Sequence, residues 1–373
     1  MRNNEVSQQK CAGWTALGVA PAKNFQEGTM SDYAKRPDDL EGIKQTAEKY
    51  GFCIVKGLFS AERMKEMEAL MAEEWKRGTS RDLMSSDQLR PVILDDKILR
   101  IANALLGKEL VYYGETSMNY EPEAGKIANN PFRTLHADAR GTPGDINKTW
   151  DPAPGQVYRG YRFGIYFRDY TRYSGGLKVA PGSHHVGQTK FKPPRGQRNF
   201  FGKHRVDLPD GSSIKIPTAP YELYDIASEP GDLVIFSLRV FHSAGAARLK
   251  QNPTYAMHPA IENDLWKSQP DLFHPYPSGG RNTLFFDYAA PGEEIDLYIK
   301  WRAWRSYNSG GDNVEEFNFD DERIVREAAA KGISMRFDKI MAKALKAKQS
   351  ERLEKLKANN REFSKFHSFA AAS

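Results

Sequence analysis

Cysteine is almost absent, with Cys11 and Cys53 the only two in 373 residues. That excludes a disulfide framework and makes a reducing setting, the cytoplasm, the expected location. Long apolar runs are missing too. No stretch approaches the roughly 18 consecutive apolar residues of a membrane-spanning helix, so no integral membrane association is expected. The opening segment MRNNEVSQQKCAGWTALGVAPAKNF lacks the apolar centre of a secretory signal. No internal repeat is present. A basic surplus in the body of the chain is also lacking, although the formal net charge is +6. From Asp321 to the end, thirteen Lys and Arg face seven Asp and Glu, a net of +6 that accounts for the whole excess. The preceding residues are therefore near neutral, and no nucleic-acid groove is expected through the fold.

What is present is enough to fold. Hydrophobic residues make up 40% and aromatics 12%, which supports a substantial core. Residues 1–36 read as an irregular leader. LEGIKQTAEKYG reads as a helix with a glycine stop, followed by the short strand FCIVKG. In SAERMKEMEALMAEEWKRG, Ser60 and Glu62 read as a capping box, and Met and Leu recur at helical spacing. DDKILRIANALLG is a further helix ending at Gly107. From KELVYYGETSMNYE onward the texture changes to short β-type runs: RGYRFGIYFRDYT, GGLKVAPGS, DLVIFSLRVFHSAG and RNTLFFDYAAP. Turn signals such as PDG and EPGD separate them. Such a pattern predicts an antiparallel sandwich or barrel with flanking helices over 37–320. Residues 321–373 read as a basic helical extension, suited to packing or to homo-oligomer formation, with SMRFDKIMAKALKAKQSERLEKLKANN the longest periodic stretch.

The chemistry starts from LHADARGTPG. His136 and Asp138 stand two apart, so on an extended strand they share a face. Alone this is a weak signal. A second histidine in a suitable setting strengthens it: EPGDLVIFSLRVFHSAG is a turn, a buried strand and then His242. Two histidines and one carboxylate form a facial triad, which suits Fe(II) and leaves three positions open for a co-substrate and O₂. An oxygenase of this type also needs a cation for the far carboxylate of 2-oxoglutarate, and an arginine fork serves best. Arg281, at the head of RNTLFFDY, is one candidate; Arg248, in AGAARLK, is nearer in sequence.

HAD, YSGGLKVAPGSHHVG, EPGDLVIFSLRVFHSAG and GGRNTLFFDYAAP, in that order, resemble the phytanoyl-CoA dioxygenase superfamily of Fe(II)/2-oxoglutarate oxygenases. The resemblance runs from about Leu40 to Pro291. It implies a mainly β fold with a double-stranded β-helix (jelly-roll) core. It also implies iron on His136, Asp138 and His242, with 2-oxoglutarate and O₂ as co-substrates. The family's 2-oxoglutarate arginine lies on the strand after the third ligand. An insertion precedes that strand here, so Arg281 takes the role, with Arg248 as runner-up and Ser243 assisting beside His242. Two places depart from the family: Leu135 stands where Trp is common, and YEPEAG where Lys-Pro-Pro-Gly is common. Asp138 occupies the position that is Ala or Gly in halide-binding relatives, so halogenation is disfavoured.

The expected reaction is C–H hydroxylation of a small molecule. Oxidative cyclisation or desaturation begins with the same hydrogen abstraction. Two rivals are a non-catalytic jelly-roll binding protein and a zinc hydrolase on the same three ligands. Among the other histidines, His184 and His185 follow a Pro-Gly-Ser turn and suit structural hydrogen bonds. Gly187 to Val206 carries six Lys and Arg, no acid and three Phe. As a loop at the pocket mouth it would favour a polar or anionic substrate. ARGTPGDINKTWDPAPGQVYRG, which begins at Ala139, is the candidate substrate lid.

Overall fold

The computed structural model describes residues 30–76, 82–114, 116–120, 136–139, 158–181, 184, 202–207, 213–218, 223–250, 262, 266–267, 270–300 and 321–336. Among the described residues the strands run in chain order as β1 (Ala34–Lys35), β2 (Phe52–Val55), β3 (Leu110–Tyr112), β4 (Thr116–Asn119), β5 (Gly160–Tyr166), β6 (Gly176–Val179), β7 (Gly202–Asp207), β8 (Ser213–Thr218), β9 (Tyr224–Ile226), β10 (Leu233–Ser237), β11 (His242–Ala246), β12 (Thr283–Ala289) and β13 (Ile333–Met335). A large sheet has the order β1-β2-β10-β5-β12-β3-β13, with β4 also on β12. A small sheet has the order β11-β6-β9, and β7 and β8 form a separate hairpin.

Why the central strands are rich in apolar residues follows from this layering. Side chains alternate along β5 and β10. Phe163, Ile165, Leu233 and Ile235 enter one core, shared with Met64, Met67, Leu99 and Leu105 of the helices. Tyr166, Val234 and Phe236 point the other way and meet Leu177, Val179, Tyr224 and Ile226 of the small sheet. Both faces of the large sheet are covered, so most of their positions are apolar. The strands of EPGDLVIFSLRVFHSAG belong to different sheets: β10 lies in the large one and β11 in the small one. The intervening Leu238–Phe241 turn carries the chain across.

The expected helices form with identifiable ends. The first, α1, is Met30–Tyr33, and α2 is Leu40–Tyr50, capped by the Asp39 carboxylate on Gly42 N–H. Gly51 closes α2 in the left-handed region at φ +82°, and a Cβ there would collide with the His184 ring. The long helix α3 is Ala61–Lys76. Its cap is Ser60, whose Oγ accepts from Arg63 N–H at 3.2 Å. Arg63, not Glu62, holds the third helical position, so a plain serine cap replaces the expected capping box. Next come α4 (Arg90–Ile93) and α5 (Asp96–Leu106), with Asp95 capping the latter through Lys97 N–H.

Two expectations about segment boundaries need correction. Tyr33, within the supposed leader, is buried against Phe52 and Tyr224. Residues 321–336 do not stand apart from the domain either. Helix α6 (Glu322–Ala330) buries Ile324 and Ala328 in the main core, and Glu327 pairs with the buried Arg90. Ser334 and Met335, expected to begin a long helix, lie on β13, parallel to β3. Apolar residues at 324, 328 and 333 have an inward partner, and this outweighs the basic composition around them. The rest of the tail lies outside the described residues.

Replacing Ile324 by Ala should therefore cost about 2–5 kcal/mol, the usual range for a buried large-to-small change. Urea denaturation of the full chain measures it. An unchanged midpoint would make α6 a detachable appendage.

Candidate active site

Three side chains of the expected triad converge at one end of the space between the sheets. His136 and His242 form an isolated antiparallel bridge, with His136 N–H donating to His242 O at 2.9 Å and His242 N–H to His136 O at 2.7 Å. Directly opposed residues of such a pair project to the same side. Their ring centroids are accordingly 4.5 Å apart. Asp138 lies just beyond the bridge in a bend, pinned by Ala139 N–H donating to Leu238 O at 2.8 Å. Its Oδ1 is 3.7 Å from His136 Nε2 and its Oδ2 3.6 Å from His242 Nε2. The expected same-face strand pair is thus a one-residue bridge followed by a bend, with the same convergence.

The donor set fits a divalent transition metal. One ligand atom from each residue lies within 4.8 Å of the others. Metal–nitrogen bonds of about 2.1 Å require ligand atoms about 3 Å apart at right angles, so modest side-chain rotation closes the site. His242 is already in the required tautomer. Its Nδ1 faces the Val240 carbonyl at 3.0 Å. A carbonyl only accepts, so Nδ1 carries the hydrogen and the Nε2 lone pair faces Asp138. Burial pulls the His242 pKa down to about 4, against the raising effect of Asp138. The ring is neutral at physiological pH, as a metal ligand must be.

A cation that sequence reasoning passed over sits against this group. Arg162, on β5, places one guanidinium nitrogen 3.0 Å from Asp138 Oδ2. It also donates twice to Asp287 on β12, at 2.7 and 2.9 Å. Asp287 is fully buried and accepts from the Tyr113 hydroxyl at 3.3 Å. The signal was available: charged residues at the middle of RGYRFGIYF and NTLFFDYA alternate with buried apolar ones.

The two candidate arginines have different surroundings. Arg281 is buried just ahead of β12, over the rings of Tyr166 and Phe285 at 5.9 and 5.7 Å. Those rings belong to the core between the sheets. Phe285 packs so closely on Gly164 that a Cβ there would lie 2.9 Å from its ring. The segment leading into β12 is held from several sides. Asn282 donates to Glu68 at 2.6 Å, Glu68 pairs with Arg168 at 2.8 Å, and Arg168 donates to Gly279 O at 3.1 Å. Arg248 lies elsewhere. It pairs at 3.4 Å with buried Asp225, alongside the buried Lys178–Glu262 pair. Lys178 and Asp225 are directly paired on β6 and β9, and Leu177 and Val179 alternate with Lys178 to face the inner core. The cluster therefore lies on the outer face of the small sheet. Ser243 pairs with Lys178 and shares that outer face, one residue out of phase with His242. Its expected place beside the co-substrate is corrected accordingly: alternation turns the hydroxyl away.

Other expected features fall as follows. His184 is structural, its Nε2 at 2.8 Å from Glu48 O. The basic stretch ending at Val206 was expected as a loop, but Gly202–Asp207 is a strand paired with Ser213–Thr218. Residues 185–201, including His185, and 140–157 of the candidate lid lie outside the described residues.

Two sheets share a core, as in a double-stranded β-helix, and two histidines and an aspartate that could hold a metal ion converge beside it. The phytanoyl-CoA dioxygenase (PhyH) family profile matches residues 47–251, more than half the chain, and the chain belongs to this family. It is an Fe(II)/2-oxoglutarate-dependent oxygenase. The match spans His136, Asp138 and His242 and stops short of Arg281. Similar solved structures include the non-heme alpha ketoglutarate dependent epimerase SnoN from nogalamycin biosynthesis, at 17% identity over 68% of this chain and 84% of that one, TM-score 0.42. The carbocyclase SnoK, from the same biosynthesis, has 15% identity over 69% and 87%, TM-score 0.41. EctD from S. alaskensis, solved with 2-oxoglutarate and 5-hydroxyectoine, has 15% identity over 65% and 73%, TM-score 0.37. No curated protein sequence matches the chain. Among the described residues, no helix is long and apolar enough to cross a membrane.

The depressed His242 pKa carries a stability consequence for the metal-free protein. Between about pH 4 and the unfolded value near 6.5, the unfolded chain takes a proton that the folded imidazole refuses. Stability from this group is complete above that window and lost as pH falls through it, a change of about 3 kcal/mol. Asp225 acts oppositely over much of the same range, because burial pushes it up to about 7. The observable is therefore the difference between wild type and His242→Gln. In chelator-treated protein, their gap in unfolding free energy should widen by about 2–3 kcal/mol from pH 4.5 to 7. A flat gap means the buried imidazole is not held neutral.

Proposed function

We propose that the enzyme hydroxylates a C–H bond of a polar or anionic small molecule, releasing succinate and CO₂. In this reading His136, Asp138 and His242 hold the iron, and Arg281 anchors the far carboxylate of 2-oxoglutarate. The observation that carries it is the convergence of two imidazoles and a carboxylate, with the His242 tautomer already set by Val240. Iron(II), 2-oxoglutarate and O₂ together supply the oxidant that takes hydrogen from the substrate.

The protein's part is positioning. His136 and His242 are fixed through their own backbone bridge, so their imidazoles stay on one side of the site. Tyr166 and Phe285 flank Arg281 with apolar surface, and a buried guanidinium binds a carboxylate more strongly than an exposed one. Glu68, through Asn282, holds the backbone from which Arg281 projects. Arg248 is committed to Asp225 on the far side of the small sheet, which favours Arg281 in this role. The six cations between Gly187 and Val206 support an anionic substrate, since they raise the local concentration of anions. A cytoplasmic setting goes with this reading: it keeps the iron ferrous and the buried Cys53 a thiol.

Anaerobic addition of 2-oxoglutarate to the Fe(II) protein should give a visible metal-to-ligand charge-transfer band. His136→Ala should lose the band and succinate formation while keeping its fold. A zinc hydrolase or a binding module would show no band. Arg281→Ala should raise the KM for 2-oxoglutarate at least thirtyfold, in line with the roughly 2–5 kcal/mol lost when one partner of a buried charge pair is removed. Arg248→Ala should leave that KM near wild type and lower stability instead. The reverse pattern would give the anchor role to Arg248.

A further inference from the structure

We infer that Arg162 is a positioning residue for the metal site: it occupies one oxygen of Asp138 and so confines that carboxylate to one-point binding of the metal. The inference rests on the proposed triad and adds a residue outside it. Asp138 has two oxygens, and either could ligate. Oδ1 lies 3.7 Å from His136 Nε2 and Oδ2 3.6 Å from His242 Nε2, so each oxygen faces one imidazole, and Arg162 stands 3.0 Å from Oδ2 alone. A cation on Oδ2 withdraws the electron density a second metal bond would need.

The guanidinium is itself held in place. Two of its nitrogens donate to the two oxygens of Asp287, a fork that fixes its plane. Arg162 and Asp287 are directly paired across β5 and β12, both on the inner face, so their backbones cannot drift apart. Tyr113 supplies a further hydrogen bond to Asp287. The row Tyr113–Asp287–Arg162–Asp138 thus runs from the buried interior of the large sheet to the metal ligand. One guanidinium shared by two carboxylates leaves a single net negative charge.

One-point binding matters because of what it leaves open. Three protein donors leave three positions on a six-coordinate ion, two for 2-oxoglutarate and one for O₂. Were Asp138 to chelate, a fourth position would be filled and 2-oxoglutarate would compete with it. Arg162 thereby sets co-substrate affinity without touching the co-substrate.

The test uses Arg162→Lys, which keeps the charge but cannot fork across two carboxylates, and Asp287→Asn, which keeps Arg162 but loosens its hold. Metal affinity is read with Co(II), whose d–d absorption also reports coordination number, and 2-oxoglutarate affinity is read anaerobically by the charge-transfer band of the Fe(II) protein. Arg162→Lys should bind Co(II) as tightly as wild type or more so, while the Kd for 2-oxoglutarate rises tenfold or more. Asp287→Asn should move both in the same directions by less. A 2-oxoglutarate Kd within twofold of wild type in both variants overturns the inference. So does a parallel loss of metal and co-substrate binding in whichever variant folds, because that pattern marks a general structural role. Loss of Co(II) binding in His136→Ala belongs to the triad itself. If that variant bound Co(II) normally, the triad reading would fail, whatever Arg162 did.

Discussion

The site depends on two hydrogen bonds between main-chain atoms. His136 and His242 lie far apart in sequence, and each donates its amide to the other's carbonyl. This exchange fixes both Cα positions before any ligand atom is considered. Everything else at the centre is referenced to it. Asp138 is placed by the bend that follows the bridge, and the His242 ring by the Val240 carbonyl two residues back. With both backbones fixed, only side-chain torsions remain to be set, and one histidine's ring is already hydrogen-bonded.

The large sheet supplies the opposite wall, and it does so with charge in place of apolar packing. Along β5 and β12 the inner face begins apolar, with Tyr166 and Phe285, and turns ionic at Arg162 and Asp287. The ionic half faces the triad and the apolar half surrounds Arg281. This gradient explains how a buried aspartate is tolerated: it is paired with a forked cation, which in turn meets a second carboxylate. Such an arrangement is costly to assemble and more costly to break by removing one member.

Much of this was legible in the sequence. The three ligand candidates could be picked out because His-x-Asp and a histidine after an apolar run are local patterns. The helices were legible through Ser60 at the start of one, through apolar residues at helical spacing, and through Gly51 and Gly107 at the ends of two others. What could not be read was side-chain direction across sheets. Whether Ser243 shares a face with His242, or Arg248 looks inward, depends on which strand of the small sheet lies alongside. Arg162 and Asp287 stand out as charges within apolar runs, but that they pair with each other depends on strand order. The tail was read as a helical extension suited to packing or oligomer formation; Ile324, Ala328 and Ile333 are buried, but Ser334 and Met335 lie on a strand rather than a helix.

The parallel pairing of β13 with β3 also bears on how the chain is made. Leu110–Tyr112 is synthesised early, yet the strand that covers its outer edge, Ile333–Met335, emerges only after the catalytic core is complete. A nascent chain that ends before Ile333 therefore lacks this partner for β3. Open edges invite pairing with other chains, and domains form from the N-terminus as they emerge. Termination between Ala289 and Ile333 would leave the three candidate ligands and β12 in place but take away this partner of β3.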